Sequence, residues 1–172
     1  MPDLRELYQE TILDHSKRPR NFHEIPEASA TAVGHNPLCG DRVTVYLRLS
    51  DGTISDIAFV GQGCAISKAS ASLMTDAVKG KSETQAHELF QKFHKMVTAR
   101  PTDPVDTASL GKLAVLSGVC EFPVRVKCAT LPWHTMRSAL NGAGATVSTE
   151  GGAEASPKEE PVAIAGPPPK VC

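Results

Sequence analysis

Asp51-Gly52 stands between two runs of alternating residues, and this dipeptide constrains the chain more than any other stretch. Before it, Val43, Val45, Leu47 and Leu49 alternate with Thr44, Tyr46 and Arg48, the period-two pattern of a half-buried strand. After it, Ile54 to Val60 reads as the returning strand, with its alternation interrupted at Ser55-Asp56. Asp-Gly is a strong signal for a two-residue hairpin turn. Cys39, Gly40 and Asp41 lead into the first strand, and Gly61-Gln62-Gly63-Cys64 follows the second. The start of one hairpin strand lies beside the end of the other. Cys39, Asp41 and Cys64 are therefore predicted to meet, with no assumption beyond the hairpin.

Helical periodicity fills most of the remaining chain. Leu4, Leu7, Tyr8, Ile12 and His15 share one face of a helix over 3–15, with Asp3 and Glu6 spaced as a capping box. The run Lys17-Arg18-Pro19-Arg20-Asn21 stops it, and residues 21–40, which carry prolines, glycines and few apolar residues, read as loop. A helix is predicted from about 65 to 79, which places Cys64 at a helix N-terminus, where the backbone dipole favours a thiolate. Further helices are expected over 84–98 and 107–119, joined by a connection at 100–106. Residues 123–128 read as extended or as a single turn. Because proline is disfavoured inside a helix, the last helix is expected to begin near Pro132 and to end before Asn141-Gly142. Residues 142–172 hold five glycines, five prolines and six alanines, without an aromatic residue or leucine. That composition predicts a disordered tail after a single domain over 1–141.

Three cysteines and an aspartate carry the chemistry: Cys39, Asp41, Cys64 and Cys128. Three thiolates and one carboxylate suit a four-coordinate site for zinc or an iron–sulfur cluster. Their surplus negative charge calls for compensation, which Arg125 and Lys127, just before Cys128, are placed to supply, with contact to a partner protein as the alternative role of Arg125. Bulk electrostatics suggest neither a nucleic-acid nor a membrane partner, since the net charge is -1. No apolar run approaches the ~20 residues of a membrane span, and MPDLRELYQE has no signal-peptide core. A cytoplasmic, reducing location follows as the default, where five cysteines serve as ligands, nucleophiles or packed thiols rather than disulfides.

The motifs Asp14-His15, Pro19-Arg20-Asn21, Asn36-Pro37-Leu38-Cys39-Gly40-Asp41, Gly61-Gln62-Gly63-Cys64-Ala65-Ile66-Ser67, Lys79-Gly80-Lys81 and Pro123-Val124-Arg125-Val126-Lys127-Cys128-Ala129 occur in this order. On these residues the chain resembles the U-type iron–sulfur assembly proteins (the IscU, SufU and NifU N-terminal family) over residues 4–141. It resembles the SufU branch in particular. Lys127 stands where IscU has histidine before its last cysteine, and the stretch between Lys79-Gly80-Lys81 and Cys128 is longer. The resemblance implies an α+β fold of the SufE/NifU kind, with a small, mostly antiparallel sheet and helices packed on one face. It implies zinc held by Cys39, Asp41, Cys64 and Cys128. It also implies a zinc-dependent sulfurtransferase that accepts persulfide sulfur on Cys39 from a SufS-type cysteine desulfurase and relays it towards a SufBCD-type scaffold.

The alternative is a scaffold that assembles a [2Fe-2S] cluster on the same residues, and a purely structural zinc site is the blander reading. A thiol redox protein is disfavoured by the absence of a C-x-x-C motif. Cys120 is expected to be a packed or surface thiol, and Cys172 an incidental terminal one. His15 is expected to pack against or cap the first helix, His87 and His94 to lie on a helix surface, His35 to be a possible neighbour of the ligands, and Trp133 to be core.

Overall fold

The structure is a computed structural model that describes residues 4–100, 102–142 and 146–148. Helix α1 (Leu4–Lys17) precedes strands β1 (Ala30–Asn36), β2 (Asp41–Ser50) and β3 (Thr53–Gln62). Helices α2 (Ala65–Val78) and α3 (Glu83–Thr98), a 3-10 segment (Ala108–Glu121), helix α4 (Pro123–Leu140) and strand β4 (Thr146–Ser148) follow. The sheet order is β3-β2-β1-β4, antiparallel throughout except for the short parallel β1–β4 edge. The fold is therefore α+β.

The predicted hairpin forms. Asp51 and Gly52 both have positive φ, 51° and 74°, and Ser50 pairs with Thr53. Positive φ at both central positions gives the turn the right-handed twist of its strands. The interruption at Ser55-Asp56 is a bulge: Leu49 pairs with Ile54 and Arg48 with Asp56, so Ser55 is the extra residue. Val43, Val45 and Leu47 of β2 and Ile57 and Phe59 of β3 are buried on the face covered by α2 and α4.

Four expectations are corrected. Residues 21–40 contain β1. Its inward positions are Ala32, Gly34 and Asn36, too small or too polar to register as a hydrophobic strand. They are small because α4 lies close: a Cβ at Gly34 would overlap Thr135 Oγ1. The last helix begins not near Pro132 but at Pro123, which occupies its first turn, where the missing N–H costs nothing. Pro132 lies inside α4 and has no N–H for the Cys128 carbonyl; a mid-helix proline costs roughly 3 kcal/mol. Leu131, Trp133 and Met136 are each fully buried beside it, at about 1.5–3 kcal/mol apiece, and this outweighs the penalty.

The expected helix over 107–119 is a 3-10 segment, broken at Gly111 (φ 55°, ψ -126°). Four of its five buried residues, Leu110, Leu113, Leu116 and Val119, recur every third position, which matches three residues per turn. Finally, Thr146–Ser148, within the stretch expected to be disordered, is β4. The β1 edge offers it unpaired backbone groups, a template that composition alone does not reveal. The Asp3–Glu6 box, residues 149–172 and Cys172 lie outside the described residues.

Among the histidines, His15 is buried with Nδ1 2.7 Å from Ser72 Oγ, so it packs. His94 is half-buried rather than on the surface, its ring edge-on to Phe90 and to His134 at 5.9 and 5.8 Å. His134 went unnoticed in the sequence. It is buried, and neither ring nitrogen has a hydrogen-bond partner among the described residues. Burial, helped by nearby Arg137 and His94, holds it neutral and pushes its pKa down to about 3. A folded-state pKa below the ordinary value means that acid favours the unfolded chain, so stability falls as pH drops from about 6.5 towards 3. Between pH 6.5 and 5 His134 alone is expected to remove about 2 kcal/mol. Urea unfolding should show that His134→Gln loses less stability than the wild type over this interval. Equal losses would show that His134 does not drive the acid sensitivity.

Candidate metal centre

Asn36 ends β1, Asp41 opens β2, and the two are register partners across the turn that carries Cys39. Arg42 pairs with Gln62 at the far end of the hairpin, so Cys64 emerges beside Asp41. The Cys64 backbone N–H donates to Asp41 Oδ1 at 2.9 Å, and Cys64 Sγ lies 4.0 Å from Asp41 Oδ2. Cys64 is also the N-cap of α2, its sulfur accepting from the Ser67 N–H at 3.4 Å. Cys128 arrives from α4, six residues into the helix rather than at its edge.

A carboxylate oxygen of Asp41 and the sulfurs of Cys39 and Cys128 lie within 4.8 Å of one another. Cys64 joins this group through Asp41 and through a hydrogen bond shared with Cys128. Asp41 and Cys128 are fully buried, whereas Cys39 and Cys64 are half-buried. Zinc bonds of about 2.0 Å to oxygen and 2.3 Å to sulfur need donors roughly 3.5–4 Å apart in a tetrahedron. Two sulfurs and one buried carboxylate within 4.8 Å of one another supply three donors of a zinc site, and Cys64, outside that group but 4.0 Å from Asp41 Oδ2, is placed beside it as the fourth. The same sulfurs suit an iron–sulfur cluster.

The electrostatics of the pair Cys64 and Cys128 are those of one shared proton. The hydrogen bond from Cys128, with the Ser67 and Ile66 backbone N–H groups, lowers the Cys64 pKa to about 6. The Cys64 hydrogen bond, burial and Asp41 push Cys128 strongly upward. Arg125 is drawn more firmly into its charged form, first by Cys64 and then by Cys128 and Cys39. It lines a cleft of about 650 Å³ together with Tyr8, Ile12, Ile66 and the exposed Phe122. Lys127, by contrast, is buried on α4.

Two contributors escaped the sequence reading. The buried neighbour is Asn36 rather than His35. Its Nδ2 lies 3.4 Å from Asp41 Oδ2 and 3.6 Å from Cys128 Sγ, while strand alternation turns half-buried His35 to the opposite face. The second is Gly63, where a Cβ would overlap Asp41 Oδ1. Gly63→Ala is expected to displace the carboxylate and to weaken metal binding at least tenfold in a chelator competition. Native affinity in that variant would mean that Asp41 is not a donor.

Residues 7–129 match the NifU-like N-terminal domain family. A Streptococcus pyogenes protein named iron–sulfur cluster assembly scaffold protein IscU is 41% identical over 137 residues, 80% of this chain and 84% of that protein. A Bacillus subtilis protein named zinc-dependent sulfurtransferase SufU is 38% identical over 138 residues, 80% of this chain and 92% of that one. A Fervidobacterium islandicum crystal structure, described as an iron–sulfur cluster assembly scaffold protein for the SUF system, superposes with a TM-score of 0.71 at 36% identity. It covers 76% of this chain and 94% of the other.

Proposed function

The chain belongs to the NifU-like N-terminal domain family, alongside iron–sulfur cluster assembly proteins, and from this we propose that it is a zinc-dependent sulfur acceptor in cluster assembly. Its sulfur donor is a SufS-type cysteine desulfurase, and the sulfur passes onward to a SufBCD-type scaffold. Cys39, Asp41, Cys64 and Cys128 hold the zinc, which keeps bound thiols deprotonated at neutral pH.

The observation that carries this reading is the unequal footing of the donors. Cys64 is fixed as a helix N-cap, Cys128 is buried inside α4, and Asp41 is buried at a strand start, whereas Cys39 is half-buried on a turn. Cys39 is thus the thiol best able to leave the group and meet a partner. Its thiolate attacks the terminal sulfur of the donor persulfide. The donor S–S bond breaks, the donor cysteine leaves as thiolate, and Cys39 keeps the sulfur as a persulfide, with no net oxidation. Arg125, which also lines the cleft, offsets the negative charge of Cys64, Cys128 and Cys39.

A second reading has its own support: the 41%-identical relative is named a scaffold, and the same four side chains suit a [2Fe-2S] cluster. Desulfurase turnover measured anaerobically, with and without the zinc-loaded protein, separates the two. Strong stimulation is expected for the sulfur relay. No stimulation, together with iron–sulfur absorbance after reconstitution, would favour the scaffold.

A further inference from the structure

We propose that Asn36 is a positioning residue of the metal centre, its side-chain amide tying Asp41 of the hairpin to Cys128 of α4. The inference rests on the reading of Cys39, Asp41, Cys64 and Cys128 as metal donors. Asn36 is fully buried at the end of β1, on the face covered by α4. A polar side chain this deep is retained only where it is hydrogen-bonded. Its Nδ2 faces two acceptors at once, Asp41 Oδ2 at 3.4 Å and Cys128 Sγ at 3.6 Å, and an amide nitrogen has two hydrogens to give.

These two donors arrive on separate elements, one on a strand start and the other on the second turn of a helix. Asn36 is a single side chain that touches both. The opposite side of the carboxylate is closed as well, since Asp41 Oδ1 accepts the Cys64 N–H at 2.9 Å and Gly63 leaves no room beyond it. The carboxylate is therefore held at both oxygens. Oδ2, the oxygen that faces Cys64 Sγ, is the one left to act as a single donor. The amide also brings two positive hydrogen ends, without net charge, to a place where three thiols and a carboxylate concentrate negative charge. An apolar side chain here supplies no such donor, and an acidic one adds a further negative charge.

The test compares full-length wild type, Asn36→Ala, Asn36→Leu and Cys64→Ala, with thermal unfolding as the folding control. Leucine keeps the volume and removes the donor, whereas alanine also empties the space, so either variant that folds decides the matter. Zinc affinity is read by competition with a chromophoric chelator, and donor geometry by the absorption bands of cobalt(II) bound in place of zinc. Both Asn36 variants are expected to bind zinc about 10- to 100-fold more weakly, with shifted cobalt bands. A merely structural role would lower the unfolding midpoint without moving those bands. Native affinity and an unchanged cobalt spectrum in a folded Asn36 variant would overturn the inference alone. If the wild type takes up neither ion, or Cys64→Ala takes up as much as the wild type, the donor-set reading falls and this inference with it.

Discussion

Cys39→Ala is expected to reduce sulfur uptake to background while leaving the metal-free fold within about 0.5 kcal/mol of wild type. The turn between β1 and β2 carries Cys39 half-exposed, so its truncation opens no core cavity. Mass spectrometry after incubation with the desulfurase and cysteine should find an added sulfur on the wild type and none on the variant. Stimulation of the desulfurase should disappear in parallel. Cys128→Ala is expected to behave differently, because Cys128 is fully buried against Asn36 and Cys64. It should lose metal and stability together. Undiminished sulfur uptake by Cys39→Ala would remove Cys39 as acceptor and leave Cys64, the other half-buried thiol of the group, in that role.

Trp133→Ala is expected to cost about 3–5 kcal/mol, the range for emptying a large buried aromatic site. Its ring stacks on Phe93 at 4.5 Å and lies against Phe90 at 6.3 Å, with no exposed surface. Its Nε1 donates to Ser70 Oγ at 3.2 Å, and that hydroxyl in turn donates to the Ala129 carbonyl one residue past Cys128. The substitution therefore opens a cavity and takes away one of the serine's partners. Against a typical domain stability of 5–15 kcal/mol, a loss of this size approaches unfolding. Because Trp133 is the only tryptophan, urea unfolding must be followed by circular dichroism rather than by fluorescence. A cost under 1 kcal/mol would show that the surrounding helices close over the site.

The parts that were legible have local causes. Asp51-Gly52 announced the hairpin, the alternation of Val43, Val45 and Leu47 gave its buried face, and Gly61-Gln62-Gly63 marked the approach to Cys64. Cys64 at the start of α2 followed from where helical periodicity begins. The α4 boundary was misplaced because Pro132 is a local penalty overruled by burial against α2, α3, the 3-10 segment and the sheet. The 3-10 segment did carry its own signal, leucines every third residue, but one that is close to the 3.6-residue period. β1 carried almost none, since its inward residues were chosen to clear α4 rather than to be hydrophobic.

The sequence by itself determined the hairpin, and with it the meeting of Asp41 and Cys64, because a two-residue turn fixes register over short separations. Cys128 could be nominated from its motif but not placed, since 63 residues, including α2, α3 and the 3-10 segment, lie between it and Cys64. Only the packing of α4 across β1 and β2 brings its sulfur to Asp41. The same packing makes Asn36 a buried link between hairpin and helix, and His134 a buried base without a hydrogen-bond partner among the described residues. Hydrogen bonds and burial of this kind depend on which surfaces meet across long sequence separations, and neither periodicity nor composition records that.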